Sequence, residues 1–192
     1  YYIVYLNLVL RVDLHGKTIG KMTTIVGSRP LCIDELNGKL YFGEYTNNQE
    51  RRNVGIYSFD GYQLCKVVDV KGVRHIHGVF VDKFEQRLYV TTGDYEEEAG
   101  IWQLNFDTNM LEPILVGGQQ SRAVQLLFDE DFIYFGTDTP LEQNYIYKLR
   151  KTNKEVTRLT KVSSSIFYGT DLGDQFVFAT VIEPSKVNTG QE

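Results

Sequence analysis

The chain has 192 residues, of which 42% are hydrophobic, 23% charged and 13% aromatic, a composition that fits a folded globular protein and not a disordered or membrane-embedded one. Its formal net charge of −5 and the lack of a clustered basic patch point away from nucleic acid, which needs Lys and Arg gathered on one face. The length suits one domain with a real core, or two small ones.

The opening run YYIVYLNLVL is apolar, yet it has no basic leader and runs straight into Arg11 and Asp13. It is shorter than a membrane-spanning helix and reads as strand. The alternation from Tyr2 through Leu14 is too long for one strand of a small sheet, so a bend or an extension is expected there. Two strand-like runs follow, LVLRVDL and KTIGKMTTIV, joined by His15-Gly16. The first residue is Tyr1 rather than Met, which leaves room for an upstream signal or domain, and localisation is left open.

From residue 29 onward the sequence repeats. PLCIDELNGKLYFGEY, a polar loop and VGIYSFDGYQLCKVVDV are followed by GVFVDKFEQRLYVTTGD, a loop and GIWQLNFDTNMLEPILV, and then by AVQLLFDEDFIYFGTD, a loop and YIYKLRKTNKEVTRLTKV. Ile56, Ile101 and Ile146 are spaced by 45 residues, and Leu40, Leu88 and Ile133 by 48 and 45. Each unit holds four β-rich runs bounded by turn chemistry such as Asn37-Gly38, Asp60-Gly61 and Asp107-Thr108-Asn109. Four antiparallel strands at this period predict an all-β fold, a β-propeller of four-stranded blades. The blades are expected at residues 29–70, 74–116 and 122–162, with a composite fourth made of 163–183 and 8–26. A closed four-bladed ring and a fragment of a longer propeller are both compatible with this, as are open halves that assemble.

In such a blade the inter-blade connections and the loops between second and third strands emerge at one end. Here that end carries the long polar segments, EYTNNQERRNV, GDYEEEA, TDTPLEQN and IEPSKVNTG, while the other end has tight turns. Long loops on a rigid scaffold mark the functional face. The connections bring Arg29, Arg74, His75, His77, Gln119, Gln120, Arg122 and Tyr168 to the channel mouth, and the second strands end at Glu44, Asp94, Asp138 and Glu183. A ring of acids, bases and amides suits a hydroxyl-rich or anionic small ligand.

His75 and His77 sit one residue apart where an inner strand begins. They face one side of the strand and could reach one metal with Asp94 as third ligand, but we read them as bonded to backbone and assign no metal and no cofactor. GDYEEE lacks the oxygen spacing of a calcium loop and reads as solvated. Asp34, Asp82, Asp129 and Asp171 are read as turn caps, and Tyr41, Tyr89 and Tyr134 as blade packing. Cys32 and Cys65 fall on inner and outer strands of one blade, beyond disulfide reach, and are expected free and buried.

The runs LYFGEY, LYVTTGD and IYFGTD resemble the propeller superfamily that includes NHL, YWTD, gluconolactonase-like and sialidase-like proteins. HIHGVF, TTGD, GIW, RAV, YFGTDTP, FYGT and EPS are similar to segments of bacterial propellers associated with surface polysaccharides. The Trp-Asp pairs of WD repeats, the sialidase Ser-x-Asp-x-Gly-x-Thr-Trp box and the kelch double glycine are absent, so no catalytic residue carries over from these families.

Two classes of function follow. In one, the funnel binds a glycan or sugar acid, with hydrolase-like or lyase-like chemistry available: His75 or His77 as general base, Asp94 or Asp138 as acid or orienting carboxylate, Arg29 and Arg122 as clamps, and Glu44, Arg74, Gln119, Tyr168 and Glu183 as further ligand contacts. A metal-dependent lactonase-like reaction is the alternative within this class. In the other, the propeller is a non-catalytic scaffold for a protein partner. Convergence of base, acid and clamp in one concave pocket separates an enzyme from a scaffold.

Overall fold

The computed structural model describes residues 1–5, 7–24 and 30–188. Its strands fall into five antiparallel sheets. The first holds β1 (Tyr2–Tyr5), β2 (Leu8–Val12) and β3 (Thr18–Thr24). Three full blades follow: β4 (Ile33–Leu36), β5 (Lys39–Gly43), β6 (Val54–Phe59) and β7 (Leu64–Val70); β8 (Ile76–Asp82), β9 (Arg87–Thr92), β10 (Gly100–Asn105) and β11 (Met110–Val116); and β12 (Ala123–Phe128), β13 (Phe132–Thr137), β14 (Tyr145–Arg150) and β15 (Val156–Lys161). The last sheet is the pair β16 (Ile166–Asp171) and β17 (Phe176–Thr180). This is the all-β propeller architecture that the repeat predicts. Among the described residues the helical structure is one 3-10 turn, Gln119–Ser121, and no helix is long and apolar enough to cross a membrane.

The apolar N-terminal run bends into two paired strands, with Tyr2 opposite Arg11 and Tyr5 opposite Leu8. Among the described residues β16 and β17 pair with each other and β1 to β3 among themselves, so the terminal strands lie in separate sheets. Val9 of β2 packs with Leu40, Phe42, Tyr57 and Phe59 of the first blade, whereas Ile166 of β16 sits against Gly136 of the third.

Period-2 alternation gives each blade two apolar faces, which is why the strands read as strongly apolar. In the second blade Leu88 and Val90 of β9 face the first blade, clustering with Ile56, Val68 and Val79. Tyr89, between them in sequence, turns the other way and clusters with Leu126, Ile133 and Phe135 of the third blade. Shifting β9 by one residue would exchange the two cores.

A tight contact between blades recurs with exchanged volumes. A Cβ on Gly43 of β5 would lie 2.3 Å from Ile76 Cγ2, and one on Gly136 of β13 would lie 2.4 Å from Ile166 Cδ1. Gly43, Thr91 and Gly136 hold equivalent places in the second strands, and Ile76, Ala123 and Ile166 open the inner strands. Where the next blade opens with Ile, the second strand supplies Gly. Where it opens with Ala123, the second strand carries the larger Thr91, fully buried.

Turn chemistry closes the tight end. Asp82 Oδ1 accepts from Phe84 N at 2.9 Å, Asp129 Oδ1 from Phe132 N at 2.6 Å and Asp171 Oδ1 from Gly173 N at 2.7 Å. Asp34 departs from this pattern. Its Oδ2 accepts from Val81 N at 2.8 Å in the neighbouring blade, because the first turn is closed one step later by Asn37 and Gly38, both at positive φ. Tyr41 and Tyr89 pack in the blade cores, and Tyr134 donates to Asp129 Oδ2 at 2.9 Å.

Both cysteines are free, but Cys65 on the outer strand is exposed and Cys32 is half-buried. An outer strand is covered on one face only, and its alternate residues face solvent. Cys32 donates to Val79 O at 3.2 Å, and burial pushes its thiol up to about 12.

Two expectations follow from this packing. Gly43→Thr alone should destabilise the protein by about 1–3 kcal/mol through overpacking, and Ile76→Ala should recover part of that loss. A double-mutant cycle in chemical denaturation should give a favourable coupling of at least about 0.5 kcal/mol, whereas strict additivity would show that the two sites do not share one volume. Iodoacetamide at pH 8 should label Cys65 and spare Cys32 in the native protein, with both modified in denaturant, as read by peptide mass spectrometry.

Candidate functional site

The inner strands do not pair regularly at their starts. In β8, Ile76 opposes Thr92 and Gly78 opposes Thr91, leaving His77 as an extra residue. In β12 the register slips between Ala123 and Leu126, and in β16 between Ile166 and Tyr168. A bulge at a strand end re-aims a side chain. The bulged positions His77, Val124 and Phe167 all line one pocket of about 320 Å³ at the funnel, together with Leu31 ahead of β4. Three blades contribute an apolar group there, and the second contributes an imidazole.

The pocket also gathers Tyr45, Arg74, His75, Asp94, Arg122, Asp138 and Glu183. His75 and His77 are almost fully buried. His75 Nδ1 lies 3.0 Å from Thr46 O in the first blade, and His77 Nδ1 lies 3.1 Å from Ala123 O in the third. A carbonyl only accepts, so both Nδ1 atoms carry the proton and both Nε2 atoms are left to the funnel. These Nε2 atoms are 3.1 Å apart, and Asp94 Oδ1 stands 3.1 Å from that of His77 and 3.3 Å from that of His75.

Two arginines hold the carboxylates. Arg74 Nη1 donates to Asp94 Oδ2 at 2.7 Å, and Arg122 Nη2 lies 2.9 Å from Asp138 Oδ2 and 3.4 Å from Asp94 Oδ1. Arg122 Nη1 also donates to the Asp94 carbonyl at 3.1 Å. The Arg74 and Arg122 guanidiniums at its two oxygens keep the Asp94 carboxyl ionised at neutral pH. Tyr45 stacks on His75 with ring centroids 4.3 Å apart. Burial first, and the Asp94 charge next, push its phenol up and keep it a donor. Asp138 Oδ1 and Arg74 Nε are buried without a hydrogen-bond partner among the described residues.

The structure therefore brings together seven residues singled out in the sequence: Arg74, His75, His77, Asp94, Arg122, Asp138 and Glu183. Others stand apart. The Glu44 carboxylate turns away to accept from Gly55 N and lines a separate polar groove with Asn47 and Gln49. Gln119 is buried behind the site, accepting from Thr139 Oγ1 at 2.8 Å and reaching the Asp94 carbonyl at 3.4 Å. Tyr168 is 65% exposed and does not line the pocket; its neighbour Phe167 does. Arg29 lies outside the described residues. Tyr45 was not picked out from the sequence, although it directly follows Glu44 at the functional end; the signal available was its place in the repeat.

The acidic loop is not wholly solvated. Glu96 and Glu97 are exposed, but Glu98 is buried. Its carboxylate accepts from Arg51 Nε and, at 2.8 Å, from the Arg74 backbone N–H. The loop thereby fixes the residue that orients Asp94.

No family model matches the sequence, and no curated protein is similar to it in sequence. In fold the chain is similar to TolB from Acinetobacter baumannii, with a TM-score of 0.63 at 16% identity over 96% of this chain and 47% of that one. The chain thus spans under half the length of that β-propeller. This likeness establishes the fold; it does not single out the NHL, YWTD, gluconolactonase-like or sialidase-like families and carries no function.

Glu98→Ala should lower stability by about 1–3 kcal/mol, because it strips a buried acceptor from Arg51 and from the Arg74 amide. Thermal and urea unfolding check this, and an unchanged midpoint would show that the loop is held by other contacts.

Proposed function

We propose that the funnel binds a small acidic, hydroxyl-bearing ligand of the sugar-acid class, and that His75, His77 and Asp94 are its reactive centre. The observation that carries this reading is the convergence of two arginines, three carboxylates and two imidazoles on one pocket of about 320 Å³, near the lower end of ordinary small-molecule sites, roughly 300–1,000 Å³. A monosaccharide is the scale that fits.

Each feature of such a ligand has a counterpart. Arg122 and Arg74 border the pocket and set positive charge against a ligand carboxylate, with Arg74 Nε the guanidinium donor that has no partner among the described residues. The free acceptor Asp138 Oδ1 and the Glu183 carboxylate, already held by Ser165 Oγ at 2.8 Å, take hydroxyl donors. Tyr45, Phe167 and Val124 give the apolar wall that a sugar ring's C–H face requires.

Calorimetry with galacturonate and glucuronate against galactose and glucose tests the reading. The acids should bind and the neutral sugars should not. Arg122→Met should weaken the acids by about 1.5–3 kcal/mol, roughly 10–150-fold, with the circular dichroism spectrum unchanged. Equal response to acid and neutral sugars, or none to either, would overturn it.

A further inference from the structure

The histidine–aspartate cluster contains a contradiction that the protein alone does not resolve. Both Nδ1 atoms are committed as donors to backbone carbonyls, so both Nε2 atoms of the neutral rings present lone pairs, and Asp94 Oδ1 is an acceptor as well. Three acceptors face one another at 3.1–3.3 Å with no donor between them. Such a group needs positive charge at its centre.

A proton on one Nε2 bridges one pair of atoms along a line and leaves the third acceptor unmatched. A metal ion serves all three at once. Atoms spaced 3.1–3.3 Å subtend about 98–107° at an ion with bonds of about 2.05 Å, between octahedral and tetrahedral values. The three lie at the vertices of one triangle, and their ligand atoms fall within 4.8 Å of one another.

We propose that His75 Nε2, His77 Nε2 and Asp94 Oδ1 form one face of a coordination sphere for a divalent first-row transition-metal ion, whose remaining positions open into the funnel. This deepens the reading of the funnel as a sugar-acid site and rests on it only for the use made of the open positions, where a carboxylate or vicinal hydroxyls of the ligand would bind.

The outer contacts are those a metal centre requires. Each imidazole donates its other nitrogen to a backbone carbonyl, which fixes tautomer and ring orientation. Arg74 occupies Asp94 Oδ2 at 2.7 Å and leaves Oδ1 to the metal side. Arg122 brings an opposing charge, its Nη2 3.4 Å from Oδ1, and Asp138 offsets it at 2.9 Å. Two nitrogens and one oxygen favour Zn²⁺, Fe²⁺, Co²⁺ or Ni²⁺ over Mg²⁺ and Ca²⁺, which prefer oxygen-only shells.

The test uses chelator-treated protein and metal alone. Titration with Co²⁺, followed by visible absorption, and with Zn²⁺, followed by calorimetry, should give one ion per chain, with no comparable binding of Mg²⁺ or Ca²⁺. Asp94→Asn and His77→Gln should each weaken it by more than about 100-fold, beyond the roughly 10–100-fold that loss of an outer-shell partner produces. Cys65→Ser and His15→Ala, which remove an exposed thiol and the one histidine outside the funnel, should leave it unchanged. Absence of binding by the folded wild type, or a stoichiometric site that survives both ligand variants, would overturn the proposal. Uronate binding repeated in excess chelator separates the two readings: acid binding that persists without any metal site sinks the metal alone, and a metal site without acid binding sinks the sugar-acid reading alone.

Discussion

Everything at the funnel depends on how each inner strand begins. An inner strand pairs with one neighbour only, and its free edge faces the axis. A regular ladder there would alternate side chains between the two blade cores and send none to the mouth. The bulges in β8, β12 and β16 break that alternation at the same place in each blade and aim His77, Val124 and Phe167 at one point. The Gly–Ile and Thr–Ala exchange just outside sets how closely successive blades approach, and with it the distance over which His77 can reach Ala123 O in the next blade. Packing between blades and chemistry at the axis are therefore coupled through a few residues at each strand start.

The electrostatics follow from that placement. Buried imidazoles tied to carbonyls from the first and third blades brace the ring of strands, and they have only one face left for chemistry. Charge-assisted hydrogen bonds run from Glu98 in the acidic loop through Arg74 to Asp94, the carboxylate beside the imidazoles. Partly satisfied polar groups in a buried setting carry a high free-energy cost. That cost is not relieved at Asp138 Oδ1 or at the Nε2 pair by any donor among the described residues.

Much of this was legible in the sequence because the signals are local and repeated. The 45-residue spacing of Ile56, Ile101 and Ile146 gives the blades, and the contrast between tight turns and long polar loops picks the end at which Arg74, His75, Asp94, Arg122 and Asp138 line one pocket. What escaped depends on geometry of a single residue. Glu44 and Tyr45 are adjacent at the end of β5, and the hydrogen bond from Gly55 N turns the glutamate out, leaving Tyr45 to stack on His75. Period-2 patterning also cannot show that a bulge, rather than strand alternation, directs His77. Asp34 looked like the other strand-end aspartates until its turn proved to close on Asn37-Gly38 instead, which freed it to bridge two blades.

The claim on which the account turns is that both funnel histidines carry their proton on Nδ1 and present bare Nε2 atoms to Asp94. Long-range ¹H–¹⁵N correlation spectra of the imidazole rings report this directly. The account predicts protonated Nδ1 and unprotonated Nε2 for both His75 and His77, with both Nε2 resonances moving together on addition of one equivalent of Zn²⁺. A proton found on Nε2 of either neutral ring, with Nδ1 bare, would contradict it.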